Sequence, residues 1–126
     1  MRTIKFRGKR IDNGEWVCGW FVGYSEAEGY IYGDYVDNNE VWRVNRESVG
    51  QYTGLNDKKG KEIYERDIVI TRNPYSQDKV VYHHVVPSID HLLSEDLEYP
   101  FRNVRWNLDV EVVSNTHDNP ALLEGE

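Results

Sequence analysis

Apolar and polar residues alternate with a period of two through most of this chain, the spacing that puts every second side chain on one face of a β-strand. Residues 3–7 open the pattern, with Ile4 and Phe6 on one face. Asp12-Asn13-Gly14 follows as a turn in which glycine accommodates a positive φ. The next run, residues 15–24, carries Trp16, Cys18, Trp20 and Val22 on one face and Val17, Phe21 and, given a kink at Gly23, Tyr24 on the other. Both faces are apolar, which predicts a central strand, with Gly19 marking a bulge or a close backbone approach. Residues 29–36 pair with it as a hairpin across residues 25–28, and residues 41–44 form a shorter strand. Further strands are expected at 49–55, 62–70, 79–86, 102–106 and 108–113, with Pro87 closing one of them.

Two segments read as helical. In residues 88–97, Ile89, Leu92, Leu93 and Leu97 recur at helical spacing, Ser88 suits the N-cap and Asp90 the first turn. At the end of the chain, Pro120 is placed to start a short helix. The expected fold is mainly β: antiparallel strands in a barrel-like or sandwich core with one or two short helices. At 126 residues the chain is read as a single domain.

Composition sharpens this picture. Nine Tyr, four Trp and three Phe favour strands over helical bundles. No apolar run reaches the roughly 20 residues needed to span a bilayer, and the N-terminus has no apolar leader segment. A single cysteine, Cys18, rules out an internal disulfide and points to a reducing compartment, the cytoplasm. Its aromatic neighbours predict a buried, inert thiol. The net charge of −7 argues against generic duplex binding, which needs Lys and Arg to neutralise phosphates. The charges are uneven: residues 1–11 hold five cations and no acid, and the last eighteen residues hold five acids and no Lys or Arg.

No nucleophile motif, phosphate-binding loop, dinucleotide loop or metalloprotease motif is present, so no catalytic residue is assigned. His83 and His84 point to opposite faces of a strand and do not share an ion; His91 and His117 are isolated, so no metal site and no cofactor is expected. What remains is arginine interleaved with aromatics: Trp42-Arg43 with Arg46, Arg72 with Tyr75, and Arg102 with Arg105-Trp106. Guanidinium groups bind phosphates bidentately and flat rings stack on bases. These eight residues are the candidate ligand site, with the arginines on phosphates and Trp42, Tyr75 and Trp106 on bases. Trp20 is expected in the core, so that its removal would unfold the chain.

Between residues 49 and 69 the sequence resembles a known family. Gln51-Tyr52-Thr53-Gly54-Leu55, Asp57-Lys58, Gly60-Lys61-Glu62-Ile63-Tyr64-Glu65 and Asp67-Ile68-Val69 are similar to the YopX-like proteins of phages and prophages. Ile4-Lys5-Phe6-Arg7, the Trp16 strand, Val110-Glu111-Val112-Val113, Asn115 and residues 118–123 extend the resemblance to both ends, leaving 71–107 outside it. Arg66 stands where the family has glycine, Ser114 replaces a glycine and His117 an aromatic. Residues 79–99 look like an insertion carrying a short helix. The central motif is assigned to architecture. The resemblance implies a β-rich fold, self-association into a homo-oligomer and a phage origin, and it leaves the activity open.

Two functions compete. The first is a phage protein without turnover that sequesters a nucleotide-like immune signal of its host, such as a cyclic ADP-ribose or a cyclic oligonucleotide, in the host cytoplasm. The alternative is a regulatory or replication-associated module that binds protein or nucleic acid; the acidic balance weighs against nucleic acid, and no membrane is expected as partner.

Overall fold

The computed structural model describes residues 4–33, 40–71, 83–98, 101–102 and 104–123. The chain divides into two compact units, residues 1–52 and 53–126. Its described residues are mostly strand, in two antiparallel sheets, with two one-turn α-helices and a 3-10 turn. Among the described residues, no helix is long and apolar enough to cross a membrane.

The first unit is built from β1 (Phe6–Arg10), β2 (Trp16–Gly23), β3 (Glu28–Tyr32) and most of β4 (Val41–Asn56). Each strand pairs antiparallel with the next, and β1 also pairs with β4, so the four strands close a ring. The pleat turns Phe6, Val17, Phe21, Ile31, Trp42, Val44 and Val49 inward as one apolar cluster. Gly8 faces Val44 so closely that an added Cβ would lie 3.1 Å from its side chain. Strand β4 is one strand where two were expected. The irregularity falls where β1 changes register between Arg7 and Lys9. There the Lys9 N–H donates to Ser48 Oγ (2.8 Å), which donates to the Asn45 carbonyl (2.6 Å), so the polar groups freed by the bulge are satisfied.

The second unit holds the end of β4, β5 (Glu62–Tyr64), β6 (Asp67–Thr71), β7 (His83–Val85), α1 (Ile89–Leu92), α2 (Trp106–Asp109) and β8 (Val110–Asn115). Strand β6 lies between β7 and β8. Its core is Ile63, Val69, Val86, Phe101, Val110 and Val112. The family-like motif supplies the joints. Asp57 accepts from the Lys59 and Lys61 N–H groups through Oδ1 and from the Val112 N–H through Oδ2, each at 2.9 Å. Burial alone would raise the Asp57 carboxyl; the backbone donors of Val112, Lys61 and Lys59 outweigh it and hold the group below its ordinary value. The Thr53 hydroxyl donates to the Ile63 carbonyl at 2.7 Å, and Asp67 Oδ2 accepts from the Tyr64 N–H at 2.8 Å. Between them Arg66 sits at φ 67°, the left-handed conformation for which glycine is the ordinary choice. The Arg66 N–H donates to the Val86 carbonyl and its own carbonyl accepts from Thr116, so the turn survives without glycine.

The hairpin of β2 and β3 and the 3-10 turn Pro120–Leu123 match the sequence pattern. Four expectations need correction. Trp20 is 55% exposed and Cys18 is exposed, because the face of β2 that carries them is the outer one. The described residues of 102–106 form no strand: the Arg105 carbonyl accepts from both Leu108 and Asp109, which starts α2. The helix at 88–97 is one turn, capped by Ser88 as expected; it ends where Ser94 donates its N–H and hydroxyl to the His91 carbonyl.

Candidate functional site

Ring closure decides which side of the first unit meets water. A four-stranded ring has a narrow interior, already filled by the seven inward apolar side chains. The remaining large side chains of the same strands must face out. Register sets them in rows: Trp20, Tyr32 and Val41 lie abreast on β2, β3 and β4, and Val22, Tyr30 and Arg43 form the next row. Tyr32 is 45% exposed and Tyr24, just past β2, is 72% exposed; Val22 and Val41 are exposed as well. Tyr24 meets Tyr30 edge-on at 6.0 Å, and Trp20 meets Phe6 edge-on at 6.0 Å. At the β1 side of this face, Arg7 and Lys9 lie over the Trp16 ring, at 4.9 and 5.7 Å. Scattered exposed apolar residues are ordinary, but a contiguous patch marks a surface that meets something.

Two glycines permit this arrangement. An added Cβ at Gly19 would overlap the Tyr32 carbonyl, and one at Gly29 would overlap the Phe21 ring. Gly19 is therefore the close approach that the sequence anticipated, and it lets β2 and β3 bring Trp20 beside Tyr32.

The eight candidate residues do not form one site. Trp42 belongs to the inner cluster. Arg43, next to it, falls on the outer face, where it pairs with Glu28 at 2.6 Å; that hydrogen bond raises the guanidinium further above its ordinary value. Arg46 shares the inward parity of Trp42; its guanidinium donates to the Ser25 carbonyl at 2.7 Å and lies over the Phe21 ring. Arg43 and Arg46 thus leave β4 on opposite faces. In the second unit, Arg105 folds back on Asp109 (3.1 and 3.4 Å), and Trp106 stacks on Phe101 with centroids 5.2 Å apart. Arg102 is exposed, and its N–H bonds to the Glu98 carbonyl. Arg72 and Tyr75 lie outside the described residues.

A hollow of about 290 Å³ opens in the second unit between His84, Val85, Pro87, His91, Leu97, Glu98 and Phe101. His84 meets Phe101 edge-on at 6.2 Å. Among the described residues, no group of three or more His, Cys, Asp or Glu side chains is placed to hold a metal ion.

The residues that sequence reasoning missed are Trp20, Tyr24, Tyr30 and Tyr32. For Trp20 the signal is a strand apolar on both faces, which alternation alone reads as burial; Tyr30 and Tyr32 lie on the neighbouring strand.

The fold recurs in the crystal structure of protein EF1440 from Enterococcus faecalis, which superposes with a TM-score of 0.58 over 98% of this chain and 99% of that one at 20% identity. No curated protein matches the chain. The YopX protein family model matches residues 5–124, nearly the whole length. The chain belongs to the YopX protein family.

Proposed function

We propose that this chain is a phage-type binding protein without turnover, an interaction module whose working surface is the outer face of the first unit. The observation that carries this reading is the row of Trp20 and Tyr32, both about half exposed, flanked by Val22, Tyr24 and Val41. Leaving so much aromatic surface in water costs solubility and has no structural return, since the inner cluster is already packed. Trp, Tyr and Arg are also the side chains that dominate binding energies when a partner covers them. Substituting Trp20 and Tyr32 together by serine tests it. The reading expects an unchanged far-ultraviolet spectrum and loss of the biological phenotype; a fully active double variant overturns it.

A second reading, sequestration of a host nucleotide signal, finds its support in the hollow of the second unit. Its volume approaches the lower end of small-molecule sites, its wall carries Phe101, which stacks on Trp106, and Arg102 follows Phe101 directly. Against it stands the charge of residues 88–98, which contain Asp90, Glu95, Asp96 and Glu98 and no Lys or Arg. A phosphate there meets like charge. Calorimetry with cyclic ADP-ribose isomers and cyclic dinucleotides decides: heat that Arg102→Ala abolishes supports this reading, and no heat from any of them removes it.

A further inference from the structure

We propose that the outer face of the first unit takes a single-stranded nucleic acid, with bases laid on Trp20, Tyr32 and Tyr30 and the phosphate chain passing Arg7, Lys9 and Arg43. This rests on the reading of that face as the working surface.

Shape argues first. The face is the outside of a ring of strands, not a cavity, so a mononucleotide lying on it keeps one side in water. A polymer adds contacts ring by ring. Side chains two residues apart on a strand are about 6.7 Å apart, and neighbouring strands about 4.8 Å. Trp20 and Tyr32 therefore stand side by side, with Tyr30 and Tyr24 one step further on. Flat rings at such intervals are what unstacked bases need, and every base has a face to offer.

Charge argues second. Most of the acid excess of the chain lies elsewhere: residues 53–126 hold eight Lys and Arg against fourteen Asp and Glu, whereas residues 1–52 hold seven against eight. Residues 1–11 contribute five of those cations. On the face itself, Arg7 and Lys9 stand beside Trp16, and Arg43 stands in the row of Tyr30, where the neighbouring carboxylate is its own partner Glu28. An anionic strand complements this set. A second copy docking by the same face would bring these cations toward their own equivalents.

The test titrates the full chain with an oligothymidylate of about eight nucleotides at low salt, following tryptophan fluorescence. Saturable quenching is expected, with a log–log salt slope of about −2, the value for three phosphate contacts on a single strand. Trp20→Ala and Tyr32→Ala should each weaken binding about tenfold. Because the two lie on different strands, misfolding of one leaves the other as the test. Leu93→Ala, exposed on the second unit, should change nothing. Inorganic polyphosphate supplies charge without bases; binding as tight as the oligonucleotide overturns the proposal. So does the absence of quenching, or variants that bind like the parent. If no oligonucleotide binds but sedimentation shows an oligomer that Trp20→Ala dissolves, the single-strand occupant is overturned and the working surface stands. If neither is seen, both fall.

Discussion

The two units of this chain use their distinctive residues in opposite ways. In residues 53–126 the recognisable motif is turned inward, toward its own backbone: Asp57, Thr53 and Asp67 each hydrogen-bond main-chain groups, and Ile63 is fully buried. In residues 1–52 no motif of comparable specificity exists, yet this unit sets Trp20, Tyr24 and Tyr32 in water. A long, specific sequence signature therefore identifies what the family must build. The surface we propose for a partner is assembled from residues whose only pattern is alternation. The most specific stretch of the family pattern and the proposed working surface lie in different units.

Four substitutions break or sharpen this contrast. Removing the centre of the motif should have the largest effect. Ile63→Ala leaves a cavity in a fully buried site and should cost about 3 kcal/mol in denaturant unfolding; a cost below about 1 kcal/mol would mean that the motif does not organise the core. Asp57→Asn comes next, at about 2 kcal/mol, because the amide replaces a charged acceptor of three N–H groups. Its sign in acid is fixed. The folded carboxyl lies below its ordinary value, so the unfolded chain takes up the proton first. The stabilisation is complete above about pH 4, the unfolded value, and is lost as pH falls through the lower folded value. Melting temperatures between pH 5 and pH 2 should fall less steeply in Asp57→Asn than in the parent.

On the other unit, Trp20→Ala should cost only about 1 kcal/mol, the worth of its edge contact with Phe6, where a buried indole would cost about 3–5. A cost near the larger figure would return Trp20 to the core and remove the contrast. The smallest effect is a gain: Arg66→Gly relieves a left-handed arginine and should stabilise by about 0.5–1 kcal/mol in the same assay.

Much of the fold could be read from alternation, and the two errors on β2, at Cys18 and Trp20, share one cause. Period two predicts that Trp16, Cys18, Trp20 and Val22 share a face; it does not say which face is inside. That was settled by β1 pairing with β4, a contact between residues about forty positions apart that no local pattern records. The same alternation, applied to Trp42 and Arg43, already separates them onto opposite faces; grouping them by proximity in sequence overlooked it. At 102–106 the β-favouring residues lost to a helix start, held by two N–H groups on the Arg105 carbonyl and by the Arg105–Asp109 pair. Arg66 shows the converse: a missing glycine did not mean a missing turn, because hydrogen bonds to Val86 and from Thr116 hold the backbone in place.

The bond from the Val112 N–H to Asp57 has a bearing on evolution. It spans 55 positions, so the last strand takes its alignment from a carboxylate laid down early in the unit, independently of the stretch that separates them. Segments between Thr71 and Val110 other than β7 and the buried Val86 and Phe101 can then lengthen, shrink or change sequence while the strand returns to the same seat. A clamp of that kind frees the middle of the chain to diverge.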